Sequence, residues 1–182
     1  AYVQKKFPYA TKVTMKGMHN ARHYGLKDQT AWIQDDNDGE MPKKKRMERL
    51  IQILKDDPST HEVGLAGEKV MVFLNSLGDV DSAVVALSRA GINAVPFHAK
   101  LTLAERTENL GRFREFDATA EENDDNAVPV LICTDLAARG LDIPGVTSVV
   151  QLQFAGNVVS HLHRMGRCGR AGNRDGRGVI FY

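Results

Sequence analysis

The sequence has only two cysteines, Cys133 and Cys168, too few for a disulfide framework and without metal-ligand spacing. A reducing, intracellular compartment is the expectation that follows, with cytoplasm, nucleus and organelle undistinguished. Long hydrophobic runs are also missing. The longest, 70–74 and 83–87, have five residues each, against the ~20 that a membrane span needs. No basic segment followed by an apolar one opens the chain, so a secretory leader is not read there. Neither sign of charge dominates: 24 Lys plus Arg face 23 Asp plus Glu, a net +1. That balance excludes a polycationic tail and a disordered polyelectrolyte. What is present is ordinary for a folded domain. Hydrophobic residues make up 42% of the 182 and can fill a core, and the length suits one domain. The chain opens on Ala1 and stops at Tyr182 directly after an apolar run, which reads as a piece of a longer protein.

The small net charge hides opposed patches. Residues 1–69 carry thirteen basic and ten acidic side chains, residues 70–127 five and ten, and residues 128–182 six and three. All six basic residues of the last segment are Arg.

Residues 1–40 show no sustained period and are read as an N-terminal extension or linker, with an acidic loop at 35–40; the domain proper is placed at 41–182. Pro42 suits a first helical turn, and Met47, Leu50, Ile51 and Leu54 repeat at helical spacing up to Lys55. The basic run 43–46 is then the solvated first turn of that helix, or else a nucleic-acid contact or nuclear signal. From 69 onward strands and helices alternate. Strands are expected at 69–74, 92–98, 128–134, 146–153 and 178–181. Ser76 can cap a helix that Gly91 stops, Thr102 and Glu105 form a capping box for a helix ending near Phe116, and 157–165 is a short helix. Residues 117–126 read as a solvated acidic insertion. This alternation implies an α/β fold with a mainly parallel sheet covered on both faces, and ligands in such sheets gather at the carboxyl ends of the strands.

Two segments carry chemistry. In 163–170, HRMGRCGR, a continuous helix would put His163, Arg167 and Arg170 within about 60° of one another. Gly166 and Gly169 would each cost such a helix about 1 kcal/mol, a cost that close approach of a phosphate could offset. Arg offers a planar, permanently charged fork for phosphate oxygens. The blander alternative is a basic helix end favoured by the helix dipole. In 131–143, LICTDLAARGLDI, an apolar strand delivers Thr134 and Asp135 to its carboxyl end, followed by Arg139, Gly140 and Asp142. Such an Asp can accept from a ribose hydroxyl, or it can simply form a turn.

Taken with Phe73-Leu74-Asn75-Ser76, His98 and Arg106, these segments resemble, in order and spacing, the second RecA-like domain of DEAD-box RNA helicases. The resemblance covers about 68–182, and its leading His163 separates it from the DEAH type. It implies a three-layer RecA-like domain and ATP hydrolysis coupled to strand separation. Arg170 would be the arginine finger with Arg167 beside it at the nucleotide, and Asp142 with Gly140 would lie at the ATP ribose. Asn75, Ser76, His98, Ala99, Arg106, Thr134 and Asp135 would lie along RNA. Arg139, His163 and Arg164 would knit an interface with an N-terminal RecA-like domain of the same chain. That domain would hold the Mg²⁺ of ATP. The sequence departs from the family pattern at Leu103 (usually Gln), Ala99 (usually Gly) and His161 (usually Tyr).

The phosphate-gripping loop of the partner domain is missing. GLAGEK at 64–69 tempts the eye, but Glu68 precedes Lys69 and Val70 follows where Ser or Thr would bind Mg²⁺. It reads as a plain loop, and DDND at 35–38 follows no strand. His19, His23 and His61 share no ligand geometry, Cys133 and Cys168 read as core or bystander residues, and Trp32 as a packing anchor. The 182 residues are therefore expected to be a monomeric, membrane-free piece that turns over no ATP alone. The alternative is a non-enzymatic RNA-binding or adaptor module on the same fold.

Overall fold

The computed structural model describes residues 30–34, 41–59, 63–120, 125–135, 141, 143–168 and 176–182. Among these, six strands form one sheet: β1 (Thr30–Ile33), β2 (Val70–Leu74), β3 (Ala94–Phe97), β4 (Val130–Thr134), β5 (Ser148–Gln151) and β6 (Arg177–Phe181). Their order is β1-β6-β5-β2-β4-β3, and every pairing is parallel. The helices are α1 (Lys43–Lys55), α2 (Leu77–Arg89), α3 (Leu103–Glu115) and α4 (Val158–Met165).

Strand alternation divides the core between the two faces of the sheet. Val70, Val72, Leu74, Ile132, Val150 and Phe181 pack with Leu50 and Ile53 of α1 and with Val80, Ala83 and Leu87 of α2. Met71, Phe73, Leu131, Cys133, Val149 and Ile180 pack with Phe113 of α3 and Met165 of α4. Both faces are thus apolar, which is why β2 and β4 are buried at every position and read as unbroken hydrophobic runs. The result is the three-layer α/β/α arrangement that the alternation implies.

Helix starts follow local chemistry. Ser76 accepts from Asp79 N, Asn157 from Ser160 N, and Thr102 with Glu105 completes a capping box. The GLAGEK loop is structural: Leu65 N and Ala66 N donate to Ile53 O and Asp56 O, so amides that a phosphate loop would aim at its ligand are spent on the end of α1. A Cβ on Gly64 would meet Asp56 O at 2.5 Å, so that approach requires glycine.

Two differences from the sequence reading matter, the place of β1 and the loss of a helical face beyond Met165. Strand β1 lies within 1–40, the stretch set apart as an extension, yet it pairs with β6 and is part of the sheet. Trp32 there is 47% exposed and meets the rings of Phe154 and Tyr182 at 6.4 and 5.6 Å, an anchor at the rim and not in the core. Helix α4 stops at Met165 with Gly166 as its cap, so no continuous helical face joins His163 to Arg167. The described ends of the acidic stretch are turns, with Asp117 accepting from Thr119; 121–124 lie outside the described residues.

Candidate functional site

Because all strands run parallel, the loops after β2, β3, β4 and β5 emerge at one edge of the sheet. Their meeting point is Arg164, on the last turn of α4 and only 1% exposed. Its Nε donates to Asp135 Oδ1 at 2.6 Å and its Nη2 to Asp135 Oδ2 at 2.9 Å, a bidentate pair. Nη1 donates to Gln153 O at 2.6 Å and Nη2 also to Asn75 Oδ1 at 2.7 Å. The guanidinium carbon lies 5.4 Å from the Phe73 ring centroid. Burying a cation is costly unless charge and donors are both matched, and here every guanidinium nitrogen has an acceptor. Arg's planar fork is what allows three loops to be served at once.

Arg164, expected at a domain interface, is here buried with its guanidinium hydrogen-bonded inside the domain. Asn75 and Asp135 are drawn into the same arrangement. Asn75 Nδ2 donates to Phe154 O at 3.0 Å and Asn75 N to Gln153 Oε1 at 2.7 Å. Both carboxylate oxygens of Asp135 are held by Arg164.

The network runs further through residues that the sequence reading missed. Gln153 Nε2 donates to Asp79 Oδ2 at 2.8 Å, and Lys43 Nζ to Asp79 Oδ1 at 2.9 Å. Lys43 first, then Gln153, hold the Asp79 carboxyl below its usual range, with partial burial opposing. The only sequence signal for this was the pair of glutamines in the otherwise apolar 149–154 stretch.

The remaining residues expected along RNA lie nearby. Ser76 is exposed and caps α2, Ala99 is exposed, and Thr134 is buried at the end of β4. His98 is 3% exposed; its Nε2 meets Asp81 Oδ1 at 2.9 Å, while its Nδ1 and the Nε of Arg106 are buried without a hydrogen-bond partner. Leu103 is 73% exposed. Gln151 Nε2 meets His161 Nδ1 at 2.9 Å, so the ring standing at the usual Tyr position is tied to the sheet.

At the expected nucleotide side, Arg167 N donates to Arg164 O at 3.1 Å, and Arg167 Nη1 donates to Leu141 O at 2.6 Å. His163 is exposed. Arg139, Gly140, Asp142 and Arg170 lie outside the described residues. Among the described residues no three His, Cys, Asp or Glu side chains gather around a possible cation position, and no helix is long and apolar enough to cross a membrane. Burial pushes the Cys133 thiol far up and that of Cys168 to about 12. Both stay protonated near neutrality and act as small apolar residues.

Residues 45–172, more than half of the chain, match the helicase conserved C-terminal domain family. The chain belongs to that family, in its DEAD-box branch. It is 40% identical over 112 residues to DEAD-box ATP-dependent RNA helicase 22 of Oryza sativa subsp. japonica, covering 62% of this chain and 18% of that protein. Against DEAD-box ATP-dependent RNA helicase 39 of Arabidopsis thaliana the identity is 40% over 127 residues, covering 70% and 18%. The chain thus spans about a fifth of the length of these relatives. Among solved structures it resembles the E. coli DEAD-box protein SrmB bound to regulator of ribonuclease activity A, with a TM-score of 0.64 and 26% identity over 84% of this chain and 75% of that one.

Proposed function

We propose that the chain is the second RecA-like domain of an ATP-dependent RNA helicase, supplying the arginine finger for ATP hydrolysis and half of the RNA track. The observation that carries this is the double engagement of Arg164. Its side chain gathers the loops of Asn75, Gln153 and Asp135, and its carbonyl accepts from the backbone of Arg167. The RNA-side loops and the nucleotide-side Arg are thereby tied to one residue, an arrangement that would serve the coupling of hydrolysis to strand separation.

The residues fit a nucleotide. Arg167 is a cation held at Leu141 O, beside the position of Asp142, where the family places the ribose. Bound ATP supplies the γ-phosphoryl group that passes to water. Arg170 and Arg167 offset the charge that develops on it, and Asp142 and Gly140 orient the sugar. Mg²⁺ belongs to the N-terminal RecA-like domain, since Val70 follows Lys69 where a hydroxyl would be needed. On the RNA side, exposed Ser76 and Ala99, with His98 and Arg106, meet a ligand that is read by backbone and not by base edges. Asn75 and Asp135 fix, through Arg164, the loops that carry those contacts, and Thr134 precedes Asp135 at the end of β4. His163, exposed on α4, and Arg139 are assigned to the domain interface in the closed state.

The test is RNA-stimulated ATPase of the full-length parent against its Arg170→Ala form, expected to fall by ~10³-fold or more. Equal rates would overturn the arginine-finger assignment. The 182-residue chain alone is expected to bind RNA weakly and salt-sensitively without ATP turnover; robust hydrolysis by it overturns the division of labour.

A further inference from the structure

Outside this site, a cavity of about 290 Å³ opens between α1 and α2. Its floor is aliphatic: Met47, Leu74, Ala86 and Leu152. Its rim is basic, with Lys43 and Lys44 whose side chains are 72% and 89% exposed. Asp79 and Gln153 form a wall, and Asp79 is already matched by Lys43 and Gln153. Lys44 has only Glu48 at 3.9 Å, itself 63% exposed. The Arg164 arrangement does not need the apolar floor of this cavity.

We infer that this cavity is a docking surface for an acidic peptide segment of a partner protein, with one apolar side chain inserted against Met47, Leu74, Ala86 and Leu152 and flanking carboxylates on Lys43 and Lys44. Size sets the anchor. The volume is at the lower limit of the roughly 300–1,000 Å³ of small-molecule sites, enough for one large side chain and little else. Charge sets the flanks: the exposed Lys43 and Lys44 stand at the cavity against the carboxylate of Asp79, so an acidic segment is favoured and a basic one repelled. The floor argues against single-stranded RNA, whose bases bind by stacking on aromatic platforms; no aromatic side chain lines this cavity. A phosphate entering along the wall would also face Asp79. The wall reaches the functional edge directly, because Gln153 Oε1 accepts from Asn75 N, so a docked partner sits one side chain from the Arg164 network.

The experiment titrates the isotope-labelled 182-residue chain, by amide chemical-shift mapping and fluorescence anisotropy, with short peptides holding one Phe between glutamates. Control peptides replace Phe by Ala or the glutamates by Lys, and an oligouridine is run in parallel. The Phe–Glu peptide is expected to bind and shift the amides of Met47 and Ala86. Both control peptides should bind at least about tenfold more weakly, a change of ~1.4 kcal/mol. Lys44→Glu, at a fully solvated position that leaves folding intact, should weaken the Phe–Glu peptide by a similar factor, as should Ala86→Phe, which fills the cavity. The inference is overturned if no peptide of the set binds, if both variants bind the Phe–Glu peptide as the native chain does, or if oligouridine shifts the cavity amides and the peptides do not.

Discussion

The two edges of the sheet each bury a cation, and they do so on opposite terms. At the carboxyl edge Arg164 meets a carboxylate, an amide oxygen and a backbone carbonyl drawn from three loops. At the amino edge Lys69, 3% exposed, donates to the carbonyl of Arg114 at 3.0 Å and lies over the Phe113 ring at 5.4 Å. Its neighbour Glu68 bonds to Ser148 Oγ and sits 3.4 Å from Arg177 Nη1, and Arg177 in turn caps Gly64 O. At the amino edge Lys69 and Arg177 each reach a backbone carbonyl, and Glu68 alone joins side chains, those of Ser148 and Arg177. At the carboxyl edge a single guanidinium joins groups from three separate loops.

The sharpest way to break this contrast is Arg164→Ala. It leaves Asp135, Asn75 and Gln153 O without their shared donor, and loss of one partner from a buried ion pair costs about 3–5 kcal/mol. Denaturant unfolding should show a loss of that order, with Arg164→Lys intermediate because an ammonium cannot span all three loops. A loss below about 1 kcal/mol would mean that the edge is held by something else. A purely local device at the same edge gives the scale for comparison. Thr102→Ala removes one half of a capping box and should cost ~1 kcal/mol, read from the same unfolding midpoints.

The amino edge is probed by pH. Burial, with Arg114 adding and Asp117 opposing, pushes the Lys69 ammonium below the usual lysine range. The folded chain then holds this proton less tightly than the unfolded chain does, so the contribution of Lys69 to stability rises with pH from the lowered value up to ~10.4. Lys69→Met should flatten the rise in urea midpoint between neutral and alkaline buffers; an unchanged slope would show that the ammonium is well matched after all. Asp79 runs the other way. Its carboxyl is held low, so the stability it adds is present above ~3.9 and is lost as pH falls through its folded value. Asp79→Asn should reduce the acid sensitivity of unfolding by a small amount, the least of these effects because the group is near the surface.

What could be read along the chain was what short-range physics decides. The caps at Ser76 and Thr102 sit within three residues of the amides they satisfy, and each appears where the sequence placed it. Strands β2 and β4 were legible as buried apolar runs. Strand β1 was not, since four residues of TAWI carry little pattern and its partner β6 is far away in sequence. The end of α4 at Met165 was legible, whereas the shared face for His163, Arg167 and Arg170 would have needed the helix to continue past Gly166, where the backbone leaves it.

The Arg-rich string and the TDLAARGLD segment by themselves determined the family, and the alternation of strands and helices determined the layered fold, because motif spacing and apolar periodicity are properties of neighbouring residues. Which Arg is a structural keystone was decided only in three dimensions. Arg164 and Arg167 look alike in HRMGRCGR. One is buried and the other half-exposed because Asp135, Asn75 and Gln153 are brought to Arg164 by three different strands, and burial of a charge depends on acceptors that lie far from it along the chain.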